Sequence, residues 1–130
     1  MSNILIIKHG SLGELVDKIS ILIVKQRNIT DQNKLNQVNK ELDFLNETLN
    51  KHVTKDEIES YINDLININS KLWIIEDDKR QCEKEKDFGE KFIKLSRDVH
   101  FLNDDRAKIK LEINNHTGSS IKEIKEYTSY

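Results

Sequence analysis

No proline interrupts this 130-residue chain, only four glycines punctuate it, and alanine occurs once, at Ala107. Those scarcities fit long, uninterrupted helices better than a compact sheet. The single cysteine, Cys82, excludes an internal disulfide and any Cys-x-x-Cys metal or redox motif. An excess of one charge is missing too. Lys and Arg number 21 against 23 Asp and Glu, a formal net charge of −2, and the signs interleave, as in Glu83-Lys84-Glu85-Lys86-Asp87. With no basic face and no acidic tail, nucleic acid and anionic membranes are not expected partners. Long apolar runs are absent as well: none exceeds four residues, as in Ile21-Leu22-Ile23-Val24, far short of a membrane span. The opening Met1 to Ile7 lacks the charged n-region and small-residue cleavage site of a signal peptide, so the expected location is cytoplasmic.

What is present is periodicity. The composition, 36% apolar and 34% charged, suits elongated helices with much surface in one domain spanning residues 1–130. The pattern predicts an all-α, up-down antiparallel bundle of two hairpins, with helices at about 12–28, 31–51, 55–86 and 88–115. Residues 1–9 read as a short strand or extended arm, and residues 119–130 as a tail, either extended or helical from Ser120. In the first helix Leu12, Leu15, Val16, Ile19, Leu22 and Ile23 share a face while Ile21 and Val24 take others, which marks the central, most buried helix. In the second, Leu35, Val38, Leu42, Leu45 and Leu49 keep a three-four rhythm of the coiled-coil kind. Ser11 to Glu14, Thr54 to Glu57 and Asp87 to Glu90 have capping-box spacing, and Thr30 or Asp31 can open the second helix. The third and fourth helices outrun the first two, so either a second copy or the ends of the molecule should cover the overhang, and a homodimer is the expected solution.

The most informative stripe is Phe88, Phe92, Leu95, Val99, Leu102, Arg106, Ile109, Ile113, because it sets a guanidinium in an apolar seam. Arg106 must find an acceptor there or reach water, since an unpaired buried charge is costly, and Asn69 or a polar group of the first helix is its expected partner. In the third helix Ile58, Ile62, Leu65, Asn69, Leu72, Glu76, Lys79 and Glu83 form a stripe that turns polar, flanked by Trp73, Ile75 and Asp77. Glu76, Asp77 and Arg80 therefore either face Arg97, Asn103 and Arg106 across a pocket for a small charged ligand, or form a solvated ladder.

Other chemistry has thinner support. His100 and Asp104 lie four apart, but no Cys-x-x-Cys, His-Glu-x-x-His or EF-hand loop is present, and no metal is expected. No Gly-rich phosphate loop occurs, and no motif names a cofactor. The Glu-x-x-Glu and Glu-x-x-Asp pairs of all-helical nucleotide pyrophosphohydrolases are missing in that form, with Glu76-Asp77 and Asp104-Asp105 only an echo. Leu12 to Arg27, with Asp17, Lys18, Lys25 and Arg27, is similar to the first helix of helical chorismate mutases. That resemblance implies Arg and Lys side chains holding a dicarboxylate.

Three segments carry a broader resemblance: Gly13-Glu14-Leu15-Val16-Asp17-Lys18-Ile19, Leu72-Trp73-x-Ile75-Glu76-Asp77-x-x-Arg80, and Asn103-Asp104-x-Arg106-Ala107-x-Ile109-Lys110. With Ile113-Asn114 and Gly118-Ser119, they resemble a family of short bacterial helical proteins catalogued only as a domain of unknown function. The end, Glu123 to Tyr127, departs from that pattern. The resemblance implies a common helical fold and no activity. Its matched polar residues, Asp17, Lys18, Glu76, Asp77, Arg80, Asn103, Asp104 and Arg106, together with Lys110, are the candidate interhelical cluster.

Two functions fit such a cluster. One is a non-enzymatic assembly or protein-interaction module in which polar seam residues fix register or a partner. The other is a bundle that binds or transforms an anionic nucleotide, sugar nucleotide or dicarboxylate, with Arg80, Arg106, Lys18 or Lys110 on the anion and Glu76 as acid or base.

Overall fold

A computed structural model of the chain describes residues 10–118, so the expected N-terminal arm at 1–9 and the tail at 119–130 lie outside the described residues. The described residues form four helices: α1 (Leu12–Asn28), α2 (Gln32–Asn50), α3 (Lys55–Glu85) and α4 (Glu90–Thr117). No strand occurs among the described residues, in agreement with the all-α expectation. Short loops at 29–31, 51–54 and 86–89 fold successive helices back on one another as two hairpins.

The helix with apolar residues on several faces takes the middle. α1 packs against all three other helices, whereas α2 packs chiefly against α1. Val16, Ile19 and Leu22 of α1 meet Val38, Leu42 and Leu49 of α2 on one side, and Ile58, Leu65 and Ile113 of the α3/α4 hairpin on the other. Ile19, Leu65 and Ile113 are wholly buried. Each such side chain contributes about 1.5–3 kcal/mol relative to leaving it in water.

Helix lengths decide where this core stops. At 1.5 Å per residue, α1 is ~25 Å long, against ~46 Å for α3 and ~42 Å for α4. The hairpin therefore continues past the C-terminal end of α1, and the stripe on α4 changes with it. Ile113 is buried and Phe92, Leu95, Val99 and Leu102 are half-buried, while Phe88 is exposed and precedes the helix.

That last point corrects the expected start of the fourth helix at residue 88. α3 ends with Lys86 in the left-handed conformation, φ 55°, and the Asp87 N–H donates to the Cys82 carbonyl at 2.9 Å, closing a Schellman-type turn. Asp87 is thus part of the α3 terminator. Its carboxylate accepts from the Gly89 N–H at 3.2 Å, and Gly89 precedes α4 with no side-chain cap. The last turn of α4 extends to Thr117, with Gly118 (φ 69°) as the terminator.

The other caps divide. Ser11 accepts from the Glu14 N–H at 3.1 Å, and Asp31 accepts from the N–H groups of Asn33 and Lys34, as the spacing predicts. Thr54 differs: its hydroxyl donates to the Glu57 carboxylate at 3.2 Å and makes no cap bond to the backbone.

Candidate functional site

The guanidinium in the seam meets a buried carboxylate. Arg106 donates from Nε to Asp17 Oδ1 at 2.9 Å and from Nη2 to Asp17 Oδ2 at 2.6 Å, a bidentate pair. The Asp17 side chain is 4% exposed and that of Arg106 is 26% exposed. Asn69 of α3 closes the arrangement, its amide donating to Asp17 Oδ1 at 3.1 Å and to Ser20 Oγ at 2.8 Å, while the Ser20 hydroxyl donates to the Asp17 carbonyl at 2.6 Å. Three helices are tied at one level. Among the described residues, no buried side-chain nitrogen or oxygen lacks a hydrogen-bond partner, so the network meets the condition under which buried polar groups specify a fold.

One turn from Asp17 towards the start of α1, the same face makes a second tie. Gly13 sits so close to α4 that a Cβ there would collide with the Lys110 carbonyl oxygen. The closeness lets the Gly13 N–H, one of the unpaired donors of a helix first turn, bond Asn114 Oδ1 at 2.7 Å. Beside it, Lys110 reaches Glu14 at 2.6 Å. Gly13, Asp17, Ser20 and Val24 thus form one edge of α1, with spacings of four, three and four.

Above the Asp17 network lies an open cleft of about 460 Å³, between the C-terminal half of α1 and the α3/α4 hairpin. α1 contributes Ile21, Val24 and Lys25; α3 contributes Asn69, Leu72, Trp73, Glu76, Asp77 and Arg80; α4 contributes Val99, Asn103 and Arg106. The volume lies within the range of small-molecule sites, and the lining combines an apolar floor with a few charged groups. Trp73 is 38% exposed there. Glu76, Asp77 and Arg80 make no ion pair with other described residues, although Arg80 is one helical turn from both carboxylates.

Of the nine candidate residues, Glu76, Asp77, Arg80, Asn103 and Arg106 line the cleft, and Asp17 underlies it through Arg106. Three do not converge there. Lys18, one position round the helix from Asp17, faces α2 and Glu41 at 3.6 Å. Lys110 is committed to Glu14, and the half-buried Asp104 is not part of the lining. Arg97, expected to face the pocket, instead borders a shallow depression on the outside of α4 with Ile93 and Phe101. The chorismate-mutase likeness also loses its basis: Asp17 is tied to Arg106, Lys18 points to α2 and Arg27 is exposed, leaving only Lys25 in the cleft. No group of three or more His, Cys, Asp or Glu that could hold a metal occurs among the described residues.

Ser20, Glu14 and the Gly13–Asn114 contact escaped the sequence reading. The four-three-four series Gly13, Asp17, Ser20, Val24 on one edge of α1 is a signal that could have found Gly13 and Ser20.

A helix packed against three others, a carboxylate–guanidinium pair at its centre and an open cleft at its end define an all-α bundle with a polar seam. Residues 7–130 match the model of a Family of unknown function (DUF6165), and the chain belongs to that family. The match runs through the C-terminal segment that looked divergent in sequence. No curated protein and no solved structure matches the chain.

Proposed function

We propose that this protein is a small-molecule-binding bundle whose ligand occupies the cleft between the end of α1 and the α3/α4 hairpin. The observation that carries this reading is convergence. Glu76, Asp77 and Arg80 of one helix and Asn103 and Arg106 of another border the same concavity, together with Lys25 and the half-exposed Trp73. Arg106 is preorganised, because two hydrogen bonds to Asp17 fix its guanidinium plane at the floor of the cleft. The seam and the site are then the same residues used twice: Asp17 and Asn69 hold the helices, and the exposed edge of Arg106 faces the ligand.

The test uses the chain's own reporter. Trp73 is the single tryptophan, so its emission reports on the cleft. In a screen of nucleotides, sugar nucleotides, dicarboxylates and divalent metals, a ligand is expected to change that emission saturably and to raise the Tm by mass action. Both responses should be lost in Arg80→Met. A screen silent in both readouts overturns the proposal.

A second reading, association of two copies, is favoured by the outer face of the hairpin. Ile74, Ile93 and Phe101 are 60%, 55% and 47% exposed there, and Arg97 beside Asp98 offers reciprocal charges to a two-fold-related copy. Light scattering checks it: a dimer mass that falls to the monomer in Ile93→Glu supports the pairing, and a monomer at all concentrations refutes it. We propose a cytoplasmic setting for either role; no helix among the described residues is long and apolar enough to cross a membrane.

A further inference from the structure

Resting on the ligand-cleft reading above, we infer that the ligand is a nucleotide, with its base on Trp73, its hydroxyls towards Glu76 and Asp77, and its phosphate between Lys25 and Arg80. The inference comes from the order of groups along the cleft. Asn69 and Arg106 mark its inner end, Trp73 follows one turn on, Glu76 and Asp77 one turn further, and Arg80 at the outer end. Eleven residues separate Asn69 from Arg80 on α3, which at 1.5 Å per residue is ~16 Å. A short dicarboxylate cannot cover that length. An elongated ligand can.

Three chemical demands narrow the class. First, an exposed tryptophan continuous with an apolar floor is a stacking platform, which accepts the face of a planar base. Second, Glu76 and Asp77 are acceptors only when ionised, and they have no cationic partner among the described residues. A ligand beside them must bring donors, as ribose hydroxyls do, and a bare anion would be repelled. Third, Lys25 and Arg80 supply two cations that are not ion-paired to any described residue. Arg and Lys converging from two helices suit a phosphate. Inorganic phosphate meets only the third demand and a dicarboxylate only the third, whereas a nucleotide meets all three. A sugar phosphate meets the second and third and lacks the planar ring.

The experiment titrates the full-length chain with AMP, UMP, glucose 1-phosphate, inorganic phosphate and succinate, reading Trp73 emission and, separately, heat by calorimetry. AMP or UMP is expected to quench Trp73 saturably and to bind at least tenfold more tightly than the other three probes. Arg80→Met should weaken that binding at least tenfold and Glu76→Gln severalfold. Lys18→Ala, on the α2 side, should leave it unchanged. Trp73→Leu, read by calorimetry, should weaken the nucleotide while bringing it level with glucose 1-phosphate. If glucose 1-phosphate, phosphate or succinate binds as tightly as the nucleotides, the nucleotide assignment falls and the cleft stands. If binding is detected by heat with no response of Trp73 and no loss in Arg80→Met, the ligand lies elsewhere and both fall. If none of the five probes binds, the nucleotide assignment is overturned, and the wider thermal screen above decides the cleft.

Discussion

The two ends of the α3/α4 hairpin are built from similar residues and have different fates. At the end covered by α1, Leu65, Ile113 and Asn114 are almost fully buried, and the buried Asp17, Asn69 and Asn114 are tied across helices. At the uncovered end, Glu76, Asp77 and Arg80 continue the same helical stripe in contact with solvent. The difference is how closely α1 approaches the hairpin. Where α1 lies tight against the hairpin, charge is used for register; where α1 and the hairpin leave an open cleft between them, charge faces that cleft. The hairpin alone does not decide which of its residues are structural, because the neighbour does.

Breaking the covered end should cost the most. Asp17→Ala or Arg106→Met leaves one charge of the bidentate pair buried without its partner, an expected loss of about 3–5 kcal/mol, read by chemical denaturation. Replacing both, Asp17→Leu with Arg106→Met, should recover much of that loss, since an apolar pair of similar volume carries no unpaired charge. At the second tie, Gly13→Ala forces a methyl against the Lys110 carbonyl, and Asn114→Ala leaves the Gly13 N–H without its acceptor. Each should cost about 1–3 kcal/mol.

Changes at the uncovered end should be small in stability. Lys86→Gly removes the cost of a left-handed side-chain-bearing residue, offset in part by greater freedom of the unfolded chain. A gain of up to about 1 kcal/mol in thermal unfolding is expected. Arg80→Met should change stability by no more than about 0.5 kcal/mol, as an exposed charge with no ion pair among the described residues. Its effect should appear in ligand binding alone.

Most of the fold was readable from periodicity. The absence of proline, the three-four rhythm of Leu35 to Leu49 and the apolar residues on several faces of α1 pointed to four helices with α1 at the centre. The start of α4 was not, because Asp87 has the right spacing for a cap and nothing in its neighbours shows that its N–H closes the end of α3. Within the site, Arg106 was legible as an anomaly, a charge in an apolar stripe. Its partner was narrowed to Asn69 or a polar group of α1; the choice of Asp17 needed the crossing of α1 with α4, a long-range relation that helical period does not carry. Lys18 was grouped with the cleft because it lies in a segment that carries the family resemblance, and Lys110 as a possible holder of an anion. Their directions, towards Glu41 and Glu14, depend on which helix lies beside each face.

The most direct test of a structural end and a binding end in one hairpin is thermal unfolding of Arg106→Met beside Arg80→Met, without ligand. The account predicts that Arg106→Met lowers the Tm by roughly ten degrees or more, from a loss of several kcal/mol, while Arg80→Met melts with the parent. Equal melting temperatures for the two variants, or a larger drop for Arg80→Met, would contradict it.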